Sequence, residues 1–77
     1  MRQITTCDDY SCTTTTFNGD LTTVSIYDTL NNISATGHSK RHPEDDYNEL
    51  IAEGLAYARA LGRYARKIER RFVRATR

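Results

Sequence analysis

Cys7 and Cys12, followed far along the chain by His38 and His42, are the residues whose types and spacing come nearest to chemistry. A Cys-x4-Cys pair with a His-x3-His pair supplies two thiolates and two imidazoles, the donor set of a structural zinc site. Two features weigh against that reading. The 25 residues between Cys12 and His38 are about twice the interval of a zinc finger. His42 also precedes Pro43 instead of lying inside a helix. The expectation is therefore no metal, two free thiols in a reducing compartment, and two surface histidines at a strand end.

Catalysis finds no better footing. Neither histidine has a credible nucleophile beside it, and the four glycines are scattered, so none forms a phosphate-cradling loop. Glu44, Asp45 and Asp46 are close enough for general acid–base work. They stand just before a helical pattern, however, where carboxylates complement the positive end of the helix dipole. No enzyme and no cofactor is expected.

The strongest chemical signal is electrical. Arg59, Arg63, Arg66, Lys67, Arg70, Arg71, Arg74 and Arg77 against Glu69 alone give the last stretch a net +7, and residues 1–58 carry −6, so the overall +1 conceals a steep asymmetry. Such fields steer partners without choosing a fold. Guanidinium groups fork onto carboxylates and phosphates, so arginine instead of lysine points to contact. An acidic protein surface, either another copy or a foreign partner, is the first expectation. Nucleic acid held through phosphates is the alternative, and the near-neutral total counts against it.

The elements that position these groups follow from periodicity. Seventy-seven residues, 38% of them apolar, with no Trp, allow one small domain spanning 1–77. No apolar run approaches the roughly 20 residues of a membrane span. The first residues lack the apolar stretch of a secretory signal, which makes cytoplasmic the expected address; without secretion the Asn32-Ile33-Ser34 glycosylation pattern carries no weight. Residues 1–11 read as an irregular, acidic arm. Residues 12–40 read as an antiparallel meander with strands at 12–17, 21–28 and 33–38 and turns at Asn18-Gly19 and Leu30-Asn31-Asn32. Val24, Ile26, Ile33 and Ala35 fall on its inner face.

Residues 43–74 read as a helix, with Asp46-x-x-Glu49 as a second candidate start. Tyr47, Ile51, Gly54, Ala58, Leu61, Ala65, Ile68 and Phe72 recur at steps of 4, 3, 4, 3, 4, 3, 4, widened by Leu50, Tyr57 and Tyr64. The arginines gather nearly opposite. The pattern predicts that this apolar stripe covers the sheet and that the arginine face meets solvent. It also predicts that the sheet, being shorter than the helix, ends near Leu61 and leaves Tyr64, Ile68 and Phe72 as an apolar overhang.

The run from Ser34-Ala35-Thr36-Gly37 through Lys40-Arg41-His42-Pro43-Glu44-Asp45, with Ile51 and Leu55-Ala56-Tyr57-Ala58-Arg59-Ala60-Leu61, resembles an uncharacterised family of small proteins of actinobacteria and their phages. The fold of that family is similar to the double-stranded-RNA-binding domain, and the likeness covers about residues 33–68. It implies a β-β-β-α arrangement and a bacterial or phage protein of unassigned role; the first helix of the RNA-binding fold has no counterpart here, since residues 1–17 show no helical period. It places Lys40 and Arg41 where RNA-binding members hold basic residues at the helix start. Here Glu44, Asp45, Asp46 and Glu49 follow at once and would repel phosphate.

These expectations combine into an α+β domain, three antiparallel strands under one long helix, that binds proteins or itself. Arg59, Arg63, Arg66, Arg70 and Arg74 form the expected basic face, and Tyr64, Ile68 and Phe72 the expected apolar patch. A homodimer or an acidic protein is the expected partner, with no membrane and no small-molecule substrate.

Overall fold

Strand formation begins nearer the start of the chain than the apolar pattern predicts. The computed structural model describes residues 1–41 and 48–76, with side chains through residue 73. It contains β1 (Arg2–Cys7), β2 (Ser11–Asn18), β3 (Leu21–Asp28), β4 (Ile33–Lys40) and α1 (Glu49–Thr76). The strands form one antiparallel sheet in the order β1-β2-β3-β4. The sheet therefore has four strands where the sequence pattern predicts three, and the expected irregular arm is its first strand. Ile4 is the single aliphatic residue of β1, so no apolar alternation announces it. Cross-strand pairs hold it instead. The hydroxyls of Thr5 and Thr14 lie 3.1 Å apart, Gln3 Nε2 donates to Thr16 Oγ1, and the Arg2 guanidinium sits 4.5 Å from the centre of the Phe17 ring.

Cys7 and Cys12 face each other across β1 and β2 and are joined by a disulfide. This corrects the expectation of free thiols. It also removes both sulfur donors from the zinc set that Cys7, Cys12, His38 and His42 would supply. His38 Nδ1 lies 3.0 Å from Thr23 Oγ1, and His42 lies outside the described residues.

Each hairpin turn has its own chemistry. The Asp8 carboxylate accepts from the amides of Tyr10 and Ser11 at 2.8 Å each, and these bonds hold its carboxyl below the ordinary range. Gly19, at φ 61°, is the first of two residues linking β2 to β3, a position that a Cβ would strain. Asn18 remains in β2, so the turn lies one residue beyond the Asn18-Gly19 prediction. Between β3 and β4, Asp28 accepts from the amides of Leu30 and Asn31, and Asn32 adopts φ 53°.

One face of the sheet is buried. It carries Thr22, Val24, Ile26 and Asp28 of β3 and Ile33, Ala35, Gly37 and Ser39 of β4. The helix begins later than the predicted 43, and the expectations for Pro43 to Tyr47 lie outside the described residues. Asn48 is the cap: its Oδ1 accepts from the amides of Leu50 and Ile51. At 28 residues α1 is about 42 Å long, against a largest dimension of 48 Å for the molecule.

The helix meets the sheet through alanine. Ala56 and Ala60, both fully buried, form one core cluster with Val24 and Ile26. They lie directly over Gly37, where a methyl group would collide with the Ala56 carbonyl oxygen and the Ala60 amide nitrogen. Gly37 is the residue that lets the helix backbone descend onto β4. This orientation reverses the predicted one. At about 100° per residue, the Ile51–Gly54–Ala58–Leu61–Ala65 stripe lies roughly 150° from the direction of Ala56 and Ala60.

Candidate association surface on the helix

The arginines act first on the protein itself. The Cα atoms of Cys7 and Cys12 are 4.1 Å apart, which marks a non-hydrogen-bonded pair. Alternation across the sheet then makes Tyr27–Ser34, Ser25–Thr36 and Thr23–His38 non-hydrogen-bonded as well. The carbonyls of Ser34, Thr36 and His38 consequently point out of the free edge of β4. The helix lies over the face of β4, and its cationic side chains reach round to that edge. Arg59 donates to the His38 carbonyl and Arg63 to the Thr36 carbonyl at 2.6 Å each, Lys67 donates to Ser34, and Arg71 to Asn31. Four residues of helix advance about 6 Å and two of strand about 6.7 Å, so cations spaced by four match carbonyls spaced by two. Open edges invite foreign strands, and a helix laid along one closes it.

Two further contacts tie the helix to the sheet, one at its start and one at its middle. Arg2 of β1 donates to Glu49 at 2.6 Å as an exposed ion pair. Tyr64 donates its hydroxyl to Asp28, which also accepts from the Asn31 side chain at 2.9 Å. The Tyr64 hydroxyl is the chief cause, followed by the Asn31 amide groups, of an Asp28 pKa lowered to about 2. The same bond raises the Tyr64 pKa.

The sequence-derived site residues therefore fall into different places. Arg59 and Arg63 serve the β4 edge, whereas Arg66 and Arg70 make no such carbonyl contact among the described residues. The side chain of Arg74 lies outside the described residues. The sheet does not end near Leu61, because Tyr64 reaches Asp28 of β3 and Lys67 reaches Ser34 of β4, while Arg71 reaches Asn31 in the turn between them. Tyr64 and Ile68 are half-buried, and Phe72 is 50% exposed. Lys40 and Arg41 are exposed at the far end of β4. Arg70 joins Lys67 and Arg71 at the opposite end, where the three line a cleft with Asn32, Ile33 and Ser34. The two basic groups are thus separated by the length of the strand.

What the sequence reading misses is the outward apolar face. Leu50 is 79% exposed, Ile51 62%, Leu55 47% and Leu61 41%, and Gly54, Ala58 and Ala65 between them are exposed too. The four larger side chains expose roughly several hundred Å² of apolar surface, the size of the largest patch on a typical monomer, which is often functional. The signal was present in the chain: two alanines four residues apart and a glycine in a strand announce a close approach, and that assigns the bulky residues to the other side.

Among the described residues no helix is long and apolar enough to cross a membrane, and no three His, Cys, Asp or Glu side chains are grouped to hold a metal ion. No protein-family model matches the chain, no curated protein matches its sequence, and no solved structure matches its fold.

Proposed function

We propose that this protein is a non-enzymatic association module whose working surface is the outward apolar face of α1. The observation that carries this reading is the inversion of the helix. Its alanines and cations hold the sheet, while Leu50, Ile51, Leu55 and Leu61 face solvent. An amphipathic helix ordinarily turns its larger apolar residues to its own core. A helix that does the reverse offers them to a partner. Kinship with the double-stranded-RNA-binding-domain-like family of actinobacteria and phages is a further proposal, supported by the pattern over residues 33–68. The disulfide moves the proposed address from the cytoplasm towards an oxidising compartment.

Nucleic-acid binding is the weaker reading. Arg59, Arg63, Lys67 and Arg71 are engaged with backbone carbonyls, and Lys40 and Arg41 lie apart from the Lys67–Arg70–Arg71 cleft. A duplex-shift assay at low salt checks it.

The association reading is tested by replacing Leu55 and Leu61 with Gln. Thermal stability of the isolated chain should hold or rise, because these side chains leave no cavity, while association is lost. If the double variant unfolds, the two leucines belong to the core and the reading fails.

A further inference from the structure

Arg70 is a cation that the sheet does not use. Arg59, Arg63, Lys67 and Arg71 each donate to a backbone carbonyl, whereas Arg70 donates to none among the described residues. It lines a cleft of about 490 Å³ between α1 and the β3–β4 turn, together with Lys67, Arg71, Asn32, Ile33 and Ser34. That volume falls within the roughly 300–1,000 Å³ of small-ligand sites. The rim is rich in free donors, and two carbonyls beside it are already occupied. The Ser34 carbonyl accepts from Lys67 and the Asn31 carbonyl from Arg71. Tyr27–Ser34 is a non-hydrogen-bonded pair, so the Ser34 N–H points out of the β4 edge, and no acceptor meets it among the described residues. The Asn32 side-chain oxygen accepts from Tyr27 at 2.7 Å, which leaves that side chain its N–H groups. Lys67 and Arg71 each give one N–H to a carbonyl and keep the others, and Arg70 keeps all of its own.

Among the described residues no carboxylate answers these charges. Lys67 and Arg71, four residues apart, are a like-charge pair of the kind that destabilises a helix, and Arg70 stands beside both. Asp28, cross-strand from Ile33, is buried, with its oxygens taken by Tyr64, the Asn31 side chain and the amides of Leu30 and Asn31. Glu69 forms no ion pair among the described residues.

We propose that this cleft is a binding site for a single tetrahedral oxyanion, either inorganic phosphate or the terminal group of a phosphate monoester. The three cations spread over about 100° of the helix and the Ser34 amide lies on the strand side, so donors converge from several directions. Phosphate has oxygens to meet them all, whereas a planar carboxylate fills fewer of the positions. The guanidinium fork of Arg70 matches two phosphate oxygens at once. The site takes one phosphate group and not a nucleic-acid backbone, because Lys40 and Arg41 stand at the far end of β4. It lies on the sheet side of α1, so it stands or falls separately from the association surface.

Titration of inorganic phosphate into the full chain at constant ionic strength, followed by amide and arginine side-chain NMR, tests the site. The Ser34 amide and Arg70 Nε signals should shift and saturate, while the Lys40 and Arg41 amides stay still. Acetate at the same ionic strength should leave the Ser34 and Arg70 signals in place. Arg70→Gln should weaken phosphate binding about tenfold or more, because hydrogen bonds between charged groups are the strong ones. Arg66→Gln, one turn away and outside the lining, should leave it unchanged. Neither arginine holds a carbonyl of the sheet, so both variants should match wild type in circular dichroism without phosphate. Phenyl phosphate separates the two sources, both of which uphold the site. Binding at least as tight as phosphate assigns a monoester, and weaker binding assigns the free anion. Shifts that never saturate, an equal response to acetate, or an unaltered affinity in a folded Arg70→Gln would each overturn the site. Were Arg70→Gln to unfold, the wild-type contrast of Ser34 and Arg70 with Lys40 and Arg41 would decide alone.

Discussion

Arg63 reaches from the middle of α1 to the edge of β4, its Nη1 donating to the carbonyl oxygen of Thr36 at 2.6 Å. Arg59 and Lys67 repeat the contact one turn to either side, on carbonyls two residues to either side. The arginine-rich stretch is thus a device for closing a sheet edge. Single removals should be mild, because the groups are exposed and each hydrogen bond contributes about 1 kcal/mol net. Arg63→Ala together with Arg59→Ala should lower the urea midpoint modestly and raise thioflavin-positive aggregation, as the uncovered edge recruits other strands. An unchanged aggregation rate would deny the edge-closing role.

Gly37 carries the helix contact. A Cβ at this position meets backbone and not the end of a flexible side chain, so relief requires the helix to move. Gly37→Ala should cost about 1–3 kcal/mol or more, as overpacking does. Chemical denaturation measures it, and a neutral result would place the helix further from β4 than described.

Asp28 couples the sheet to the helix through Tyr64. Its folded pKa of about 2 is depressed from the ordinary value of 3.8, so its contribution is complete above about pH 4 and is lost as pH falls towards 2. Tyr64→Phe removes the largest cause of the shift. The Asp28 pKa, followed by NMR, should rise towards the ordinary value in that variant, and the loss of stability between pH 4 and 2 should become shallower. An unmoved pKa would sink this assignment.

The Cys7–Cys12 bond closes a short loop between β1 and β2. The chain-entropy account gives such a closure about 2 kcal/mol. Reduction should lower stability by that order and loosen β1 first, leaving the packing of Ala56 and Ala60 on Gly37 intact. Hydrogen exchange resolves the two regions, and equal loss of protection in both would contradict it.

The sheet beyond β1 was largely legible in the sequence. Val24, Ile26, Ile33 and Ala35 alternate with polar residues, and alternation is what a half-buried strand imposes. β1 was not legible, because polar cross-strand pairs, a cation over Phe17 and a disulfide hold it in place of buried aliphatic residues. The helix was legible as an element but not in its orientation. Burial of large apolar groups is the stronger general rule, and here the closeness allowed by Gly37, Ala56 and Ala60, with the edge carbonyls of β4, overrides it. The arginines at spacing four were visible, but their meaning required knowing that β4 ends the sheet.

The orientation of α1 underlies the proposed association surface, and the nuclear Overhauser effect reads it directly. In methyl-labelled protein, cross-peaks should connect the Ala56 and Ala60 methyls with Gly37 Hα and with the Val24 and Ile26 methyls. The Leu55 and Leu61 methyls should show none to the sheet. Cross-peaks from Leu61 to Val24 or Ile26, with Ala56 and Ala60 silent, would turn the helix over and contradict the account.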